Sequence, residues 1–179
     1  MWFSPVCLLA FAPPPQVGSI PPLRNFDPLG LSARFPNEVP RWREAELTHG
    51  RVGMLAASGF LVQERFHPLF PDVEGPALRH MTFMPAEVWG AIALGAAIVE
   101  GKRIRKGWAN PFETPSNFQK LKSSYDPGDL GFDPLRLLPS DPTAELRMRN
   151  VELSHGRLAM LAAAGFLAQE AATGQPWIP

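Results

Sequence analysis

The chain has few of the features that mark redox, nucleic-acid or membrane proteins. Among 179 residues there is one cysteine, Cys7, which excludes an internal disulfide and a metal site built from several cysteines. The 17 basic and 17 acidic residues give no net charge and no argument for nucleic-acid binding. Long apolar runs are also missing, and the mean hydropathy of -0.07 is typical of a soluble protein. Composition alone is therefore a poor guide to this chain.

Proline and glycine are abundant, with 21 and 15 residues, and they gather in three stretches that leave the rest of the chain free to form helices. The stretches rich in both residues are 13–40, 68–85 and 107–142. The pattern predicts helices at about 42–66, 85–106 and 144–172. We expect these helices to belong to one domain, 24–179, that follows an N-terminal tail, 1–23.

An internal repeat with a period of 106 residues organises the chain. FDPLGL begins at Phe26 and FDPLRL at Phe132, while ELTHGRVGML begins at Glu46 and ELSHGRLAML at Glu152. The two copies flank an unrelated apolar segment, 86–101. The repeat therefore predicts a first and a third helix of one kind and a middle helix of another.

The repeated helices carry charges inside stretches long enough to cross a bilayer. A charge at membrane depth costs about 2.5–3.5 kcal/mol on insertion scales, so such groups should be paired and functional. Within one helix Glu46 and Arg51 lie on different faces. If the two copies cross about a two-fold axis, Glu46 meets Arg157 and Glu152 meets Arg51. Each glutamate then keeps one oxygen for a metal ligand, and the histidine three residues later keeps a ring nitrogen.

The basic residues indicate a membrane topology, because they fall on one side if the three helices alternate in direction. This side would carry Arg41, Arg43, Lys102, Arg103, Arg105, Lys106, Arg147 and Arg149. The opposite connector, 67–83, carries only Arg79. The asymmetry predicts a multi-pass membrane protein with its N-terminus on the basic side.

Taken together, Glu-x-x-His-x-Arg-x-x-Met in the first and third of three helices, each preceded by FDPL, resembles the light-harvesting chlorophyll-binding family over about residues 24–172. The resemblance implies an all-α membrane protein with three transmembrane helices, the first and third crossing about a pseudo-two-fold axis. It implies magnesium ligands for chlorophyll at Glu46, His49, Glu100, Glu152, His155 and Gln169, with Gln63 as the mirrored candidate. It also implies that the charge partners are Arg51, Arg157 and Arg103, and that two carotenoids lie near Asp27 and Asp133.

Departures from the green-plant pattern indicate which pigments to expect. His155 stands where green-plant proteins usually have Asn, and the middle helix lacks a polar residue near Ile92. The chain thus looks more like the red-lineage branch, which favours chlorophyll a with chlorophyll c, and fucoxanthin, peridinin or related xanthophylls as carotenoids. The expected partners are a photosystem core, with photosystem I favoured over II, neighbouring antenna subunits and membrane lipids, but no nucleic acid.

The family resemblance also implies a location, the plastid thylakoid membrane, with a stromal N-terminus and a lumenal C-terminus. The first residues, MWFSPVCLLAFAPPP, resemble a plastid targeting junction with Phe11 after the cleavage site. The alternative is an apolar tail that is retained and lies against a membrane or a partner.

Two other functions compete with the antenna. One is a photoprotective relative of the same fold that converts excitation to heat. The other is a di-iron carboxylate oxidase, because two Glu-x-x-His helices form part of that signature. Only Glu100 offers itself as a further ligand, and an arginine two residues after each histidine would repel iron. We therefore expect a protein that transfers energy without making or breaking bonds and is not an enzyme.

Overall fold

The computed structural model describes residues 17–20, 26–66, 75–113 and 118–177, and these residues are mainly helical. The helices are α1 (Leu31–Arg34), α2 (Val39–Arg65), α3 (Ala77–Phe83), α4 (Ala86–Gly107) and α5 (Pro142–Thr173), with a 3-10 turn at Pro36–Glu38. The long helices α2, α4 and α5 begin and end within one turn of the bounds expected from the sequence. Of the expected tail, 1–23, only residues 17–20 are described, and Phe11 lies outside them.

Local sequence signals account for the ends of α5, the longest helix. The Asp141 side chain caps the first turn by accepting the Ala144 N–H at 2.9 Å, and Pro142 occupies a position where no N–H is needed. At the other end Gly174 adopts φ 63°, a left-handed conformation that terminates helices and that glycine adopts without strain. Residues at the two ends of α5 therefore determine where the helix begins and ends.

Helices α2 and α5 cross in direct contact at a pair of equivalent glycines. A Cβ atom built on Gly50 would lie 3.0 Å from the Gly156 Cα, and the reverse distance is the same. Gly53 lies equally close to Met160 of α5. Close approach through small residues is thus confirmed at these positions, whereas Gly59 faces open space.

Helix α4 differs from the crossed pair because its surface is almost entirely exposed. Gly107, its last residue, is its only buried residue. Its exposed apolar side chains include Ile92, Leu94, Ile98 and Val99. Among the described residues, no single helix has both the length and the hydropathy of a membrane span, but α3 and α4 meet these criteria together as a pair bent by 106°.

The connector between α2 and α4 contains a short helix, α3, that the sequence pattern did not predict. Its N-terminus follows Pro76, which is extended, and the Leu78 N–H donates to the Glu170 carboxylate of α5 at 2.9 Å. Ala77 and His80 are buried. A helix of seven residues is too short to show a hydrophobic periodicity in the sequence. Its position depends on tertiary contacts with α5.

Candidate functional site

Two ion pairs join the crossed helices α2 and α5. Arg51 Nε donates to Glu152 Oε1 at 2.8 Å, and Arg157 Nε donates to Glu46 Oε1 at 2.6 Å. Each repeat therefore supplies the carboxylate that neutralises the arginine of the other repeat. This exchange of charges, predicted from the repeat and the helical geometry, is confirmed.

The two arginines are also held by loops outside the crossed helices. Arg51 Nη2 donates to the Gly128 carbonyl at 2.8 Å, and Arg157 Nη1 donates to the Gly18 carbonyl at 3.3 Å. Each guanidinium thus joins a carboxylate of the other helix to a loop carbonyl. The guanidinium has five N–H donors in one plane, so each arginine makes both contacts at once through different nitrogens.

The two glutamates differ in their second oxygen. Glu46 Oε2 accepts a hydrogen bond from Arg43 of its own helix, whereas Glu152 shows no such bond among the described residues. The expectation that both carboxylates keep one oxygen unpaired is therefore wrong for Glu46. The reason is that Arg43 lies three residues earlier on the same face of α2. An oxygen that accepts one hydrogen bond still has a second lone pair for a metal.

His49 and His155 have matching environments on the outer faces of α2 and α5. The Nδ1 atom of His49 lies 2.7 Å from the Ala45 carbonyl, and that of His155 lies 2.8 Å from the Val151 carbonyl. A carbonyl accepts only, so these bonds assign the proton to Nδ1 and leave Nε2 as the basic nitrogen. Both histidines are exposed. Each therefore presents Nε2 to a ligand outside the helix pair.

Glu100 and Arg103 form a pair on α4, as the resemblance implied. Arg103 donates from both Nε and Nη2 to Glu100 Oε2, at 3.0 and 2.7 Å. The Glu100 side chain is 45% exposed, and among the described residues no hydrogen bond reaches Oε1. One carboxylate oxygen of Glu100 is therefore bound to Arg103, and the side chain lies at the protein surface.

Arg103 also links α4 to α2 through a buried residue that the sequence analysis missed. Glu44 is only 2% exposed, and its Oε1 lies 3.6 Å from Arg103 Nη1. Its Oε2 accepts the Gly128 N–H at 2.7 Å and the Tyr125 hydroxyl at 3.0 Å. The repeat held a signal for this site, because Glu44 aligns with Asn150, which accepts the Gly18 N–H at 2.8 Å.

Tyr125 packs against the end of α4 and donates to Glu44. A Cβ atom at Gly107 would lie 2.8 Å from the Tyr125 ring, so only glycine allows this contact. Burial, together with the negative charge of Glu44, raises the pKa of Tyr125 to about 12. The hydroxyl is therefore a neutral donor at physiological pH.

The loops that precede the two repeat helices are built alike around Asp27 and Asp133. Asp27 accepts the N–H groups of Leu31 and Ser32, at 2.9 and 2.8 Å, and Asp133 accepts those of Leu137 and Leu138 in the same register. The Ser32 side-chain and backbone hydrogen bonds lower the pKa of Asp27, and the backbone N–H of Leu138, then that of Leu137, lowers that of Asp133. Both carboxylates thus shape their loops.

Gln63 and Gln169 lie far from the ion pairs, on the other half of the crossed helices. Both are half-buried, and fourteen residues of helix place each about 21 Å from the histidine of its own repeat. The next residue in each copy binds the backbone of another segment, since Glu64 accepts the Trp177 N–H at 2.9 Å and Glu170 accepts that of Leu78. The glutamines are therefore separate from the Glu and His positions.

A cavity of about 590 Å³ lies between the loop that contains Asp133 and the crossed helices α2 and α5. Its lining includes Leu47, Arg51, Asp133, Leu137, Met148 and Glu152. The candidate ligands do not converge, since within the described ranges no three His, Cys, Asp or Glu side chains could share a metal ion. The arrangement suits ligands that each need one donor from the protein, whereas a di-iron centre requires several.

Comparison with known proteins gives a consistent picture. A family model described as "Chlorophyll A-B binding protein" matches residues 13–171. The chain is 54% identical over 158 residues to a fucoxanthin-chlorophyll a-c binding protein of Isochrysis galbana, covering 87% of the chain and 76% of that protein. It is 46% identical over 152 residues to light-harvesting complex stress-related protein 1 of Chlamydomonas reinhardtii, covering 81% of the chain but 59% of that protein. It is also 32% identical over 168 residues to chlorophyll a-b binding protein 6 of Arabidopsis thaliana, covering 87% of the chain and 63% of that protein.

Proposed function

The chain belongs to the chlorophyll a-b binding protein family, and from this premise we propose that it is a light-harvesting antenna subunit of the plastid thylakoid membrane. It binds chlorophylls and carotenoids and passes excitation energy to a photosystem. When bound, chlorophyll supplies light absorption and energy transfer, and no bond is made or broken. The protein has no enzymatic role in this proposal.

The observation that carries the proposal is the matched pair of outward-facing histidines. The magnesium of a chlorophyll would need one donor from the protein, and an imidazole whose Nδ1 is already bonded to a carbonyl would supply it at Nε2. His49 and His155 meet this requirement through their bonds to the Ala45 and Val151 carbonyls. The exposed position leaves room for a large flat ligand beside each helix.

The proposed ligand set extends this logic to carboxylates and amides. It consists of Glu46, His49, Glu100, Glu152, His155 and Gln169, with Gln63 as a further candidate. Paired arginines make the carboxylates acceptable in an apolar setting, because the pair has no net charge even when the carboxylate is ionised. Arg51, Arg157 and Arg103 perform this role.

Carotenoids are proposed to lie in the grooves on either side of the crossing, with their polar ends near Asp27 and Asp133. The cavity beside Asp133 supports this position, since it has about 590 Å³ of space and runs between the loop and the helix pair. The fucoxanthin-chlorophyll a-c binding relative favours fucoxanthin or a related xanthophyll, and chlorophyll c beside chlorophyll a.

Helices α2, α4 and α5 are proposed to span the membrane, with a stromal N-terminus and a lumenal C-terminus. The exposed apolar surface of α4 supports this arrangement, and pigments against α2 and α5 would cover much of their exposed apolar faces. The proposed partners are a photosystem core, with photosystem I favoured, neighbouring antenna subunits and membrane lipids.

A second candidate function is photoprotective energy dissipation by the same fold. The similarity to a stress-related light-harvesting protein favours it specifically. Fluorescence lifetimes of the pigment-loaded protein at neutral and acidic pH separate the two functions. A lifetime that stays long at both pH values supports the antenna, and a large shortening on acidification supports dissipation.

The ligand proposal is tested by counting chlorophylls per chain after refolding with pigments. His155→Leu removes the donor and is expected to lose one chlorophyll. His155→Asn is the matched control, because an amide oxygen can replace imidazole as a magnesium ligand, and it should keep the pigment. A wild-type chain that binds no chlorophyll, or a full complement in His155→Leu, would refute the assignment.

A further inference from the structure

We propose that Glu44 is a positioning residue that orients Glu100 through Arg103 and so fixes the chlorophyll held by α4. The inference rests on the proposed function and adds a residue that lies outside its ligand set. Glu44 itself is 2% exposed and does not face the outer surface of α2. It acts on the pigment only through the groups that it binds.

The first step of the argument is that Arg103 is shared between two helices. Its Nε and Nη2 atoms donate to Glu100, its Nη1 atom donates to Thr48 Oγ1 at 2.8 Å, and the same Nη1 lies 3.6 Å from Glu44 Oε1. Thr48 in turn donates to the Glu44 carbonyl at 2.8 Å. Glu44 and Thr48, which lies one turn later in α2, therefore hold the Nη1 group of Arg103.

The second step is that α4 has few other direct contacts with α2 and α5. Its apolar side chains are exposed along its length, and its only buried residue is Gly107. Gly107 is covered by the Tyr125 ring, and Tyr125 donates to Glu44 as well. Arg103 and Tyr125, two of the groups that join the end of α4 to the crossed pair, therefore meet at one carboxylate.

The third step is electrostatic. Glu44 draws part of the Arg103 charge towards α2, which leaves Glu100 less completely neutralised and so a better donor to magnesium. Without Glu44, only the Thr48 hydroxyl would hold Arg103 on the α2 side, and Arg103 could turn further towards Glu100 and compete with the metal for Oε1. The repeat supplies an internal contrast, since Asn150 takes the equivalent place and, among the described residues, its side chain binds the Gly18 N–H and no arginine.

The test uses the full chain refolded with pigments. Glu44→Gln preserves the size of the side chain and is expected to lose or weaken one chlorophyll, with an absorption difference spectrum like that of Glu100→Leu. The double variant should resemble Glu100→Leu alone, because both changes act on the same pigment. Asn150→Asp, at the equivalent site of the other repeat, should leave that spectral band unchanged.

The outcomes distinguish this inference from the function on which it rests. If the wild-type chain binds chlorophyll and Glu44→Gln lowers only the thermal stability, with a full pigment count and an unchanged spectrum, Glu44 is merely structural and the inference is wrong. Additive pigment losses in the double variant would also overturn it. If the wild-type chain binds no chlorophyll, the proposed function itself fails.

Discussion

The two repeats of this chain build the same crossing but have different surroundings. In both copies a glutamate binds the arginine of the other helix, and a histidine bonds its Nδ1 to the carbonyl four residues earlier. Only the first copy has a buried carboxylate two residues before the motif, Glu44, where the second has Asn150. The shared residues create the crossing, and the unshared one attaches the middle helix.

The largest expected effect comes from the contact that both copies share. Gly50→Ala places a methyl group 3.0 Å from the backbone of Gly156, which cannot move aside as a side chain would. We expect a loss of about 3 kcal/mol, the upper range for overpacking. Gly59→Ala is the control, because that glycine meets nothing within 4 Å and alanine favours helix by about 1 kcal/mol. The stability of both variants is measured by the temperature at which the visible circular dichroism of the bound pigments is lost. Equal effects of the two substitutions would show that the helices are less closely packed at the crossing than described.

The exchanged charges should matter more than a single ligand. Arg51→Leu leaves Glu152 without its partner and is expected to cost about 2 kcal/mol. This is below the roughly 3–5 kcal/mol of a fully buried pair, because both side chains are 36% exposed. His49→Ala removes one donor and should cost less. The yields of folded, pigmented protein compare the two variants, and an equal or smaller loss in Arg51→Leu would contradict the crossed-pair description.

A smaller effect is expected where the repeats differ in their loops. Gly30 has φ 62° and its equivalent, Arg136, has φ 50°, so the second copy places a residue with a Cβ in the left-handed region. Arg136→Gly should therefore stabilise the protein by about 1 kcal/mol, and Gly30→Ala should destabilise it by a similar amount. Thermal denaturation of both variants checks the signs. Two changes of the same sign would argue against equivalent loop conformations.

The smallest effect concerns the pKa of Tyr125, the only tyrosine in the chain. Because its pKa is raised to about 12, the stabilisation linked to the neutral hydroxyl is complete below pH 10 and is lost as the pH rises through about 12. Glu44→Gln should lower the pKa but not to its ordinary value, since burial is the larger cause. Asn150→Asp should not change it. Titration of the phenolate absorbance measures both, and an unchanged pKa in Glu44→Gln would remove Glu44 from contact with Tyr125.

Features encoded in both repeats could be predicted from the sequence. The positions of α2 and α5, their close approach at Gly50 and Gly156, and the exchange of Glu46 and Glu152 between the helices follow from periodicity and from the need to neutralise charges. A residue pattern that occurs twice restricts the geometry, because one arrangement must satisfy both copies.

Features that depend on one copy alone could not be predicted in this way. The bond from Arg43 to Glu46 has no equivalent, since the matching Arg149 binds Asp126 and Glu145. The network around Glu44 depends on how the loop at Gly128 folds back over α2. The contacts around Glu44 join residues distant in sequence, and local propensity contains no information about them.

The central claim is that each repeat's glutamate is held by the other repeat's arginine, and a double-mutant cycle on Arg51 and Glu152 tests it most directly. The thermal stability of the pigment-loaded protein is compared for Arg51→Leu, Glu152→Leu and the double variant. We predict that the double variant loses clearly less stability than the two single losses combined, since neither charge is then left without a partner. Losses that simply add would show that the two residues do not stabilise each other and would contradict the account.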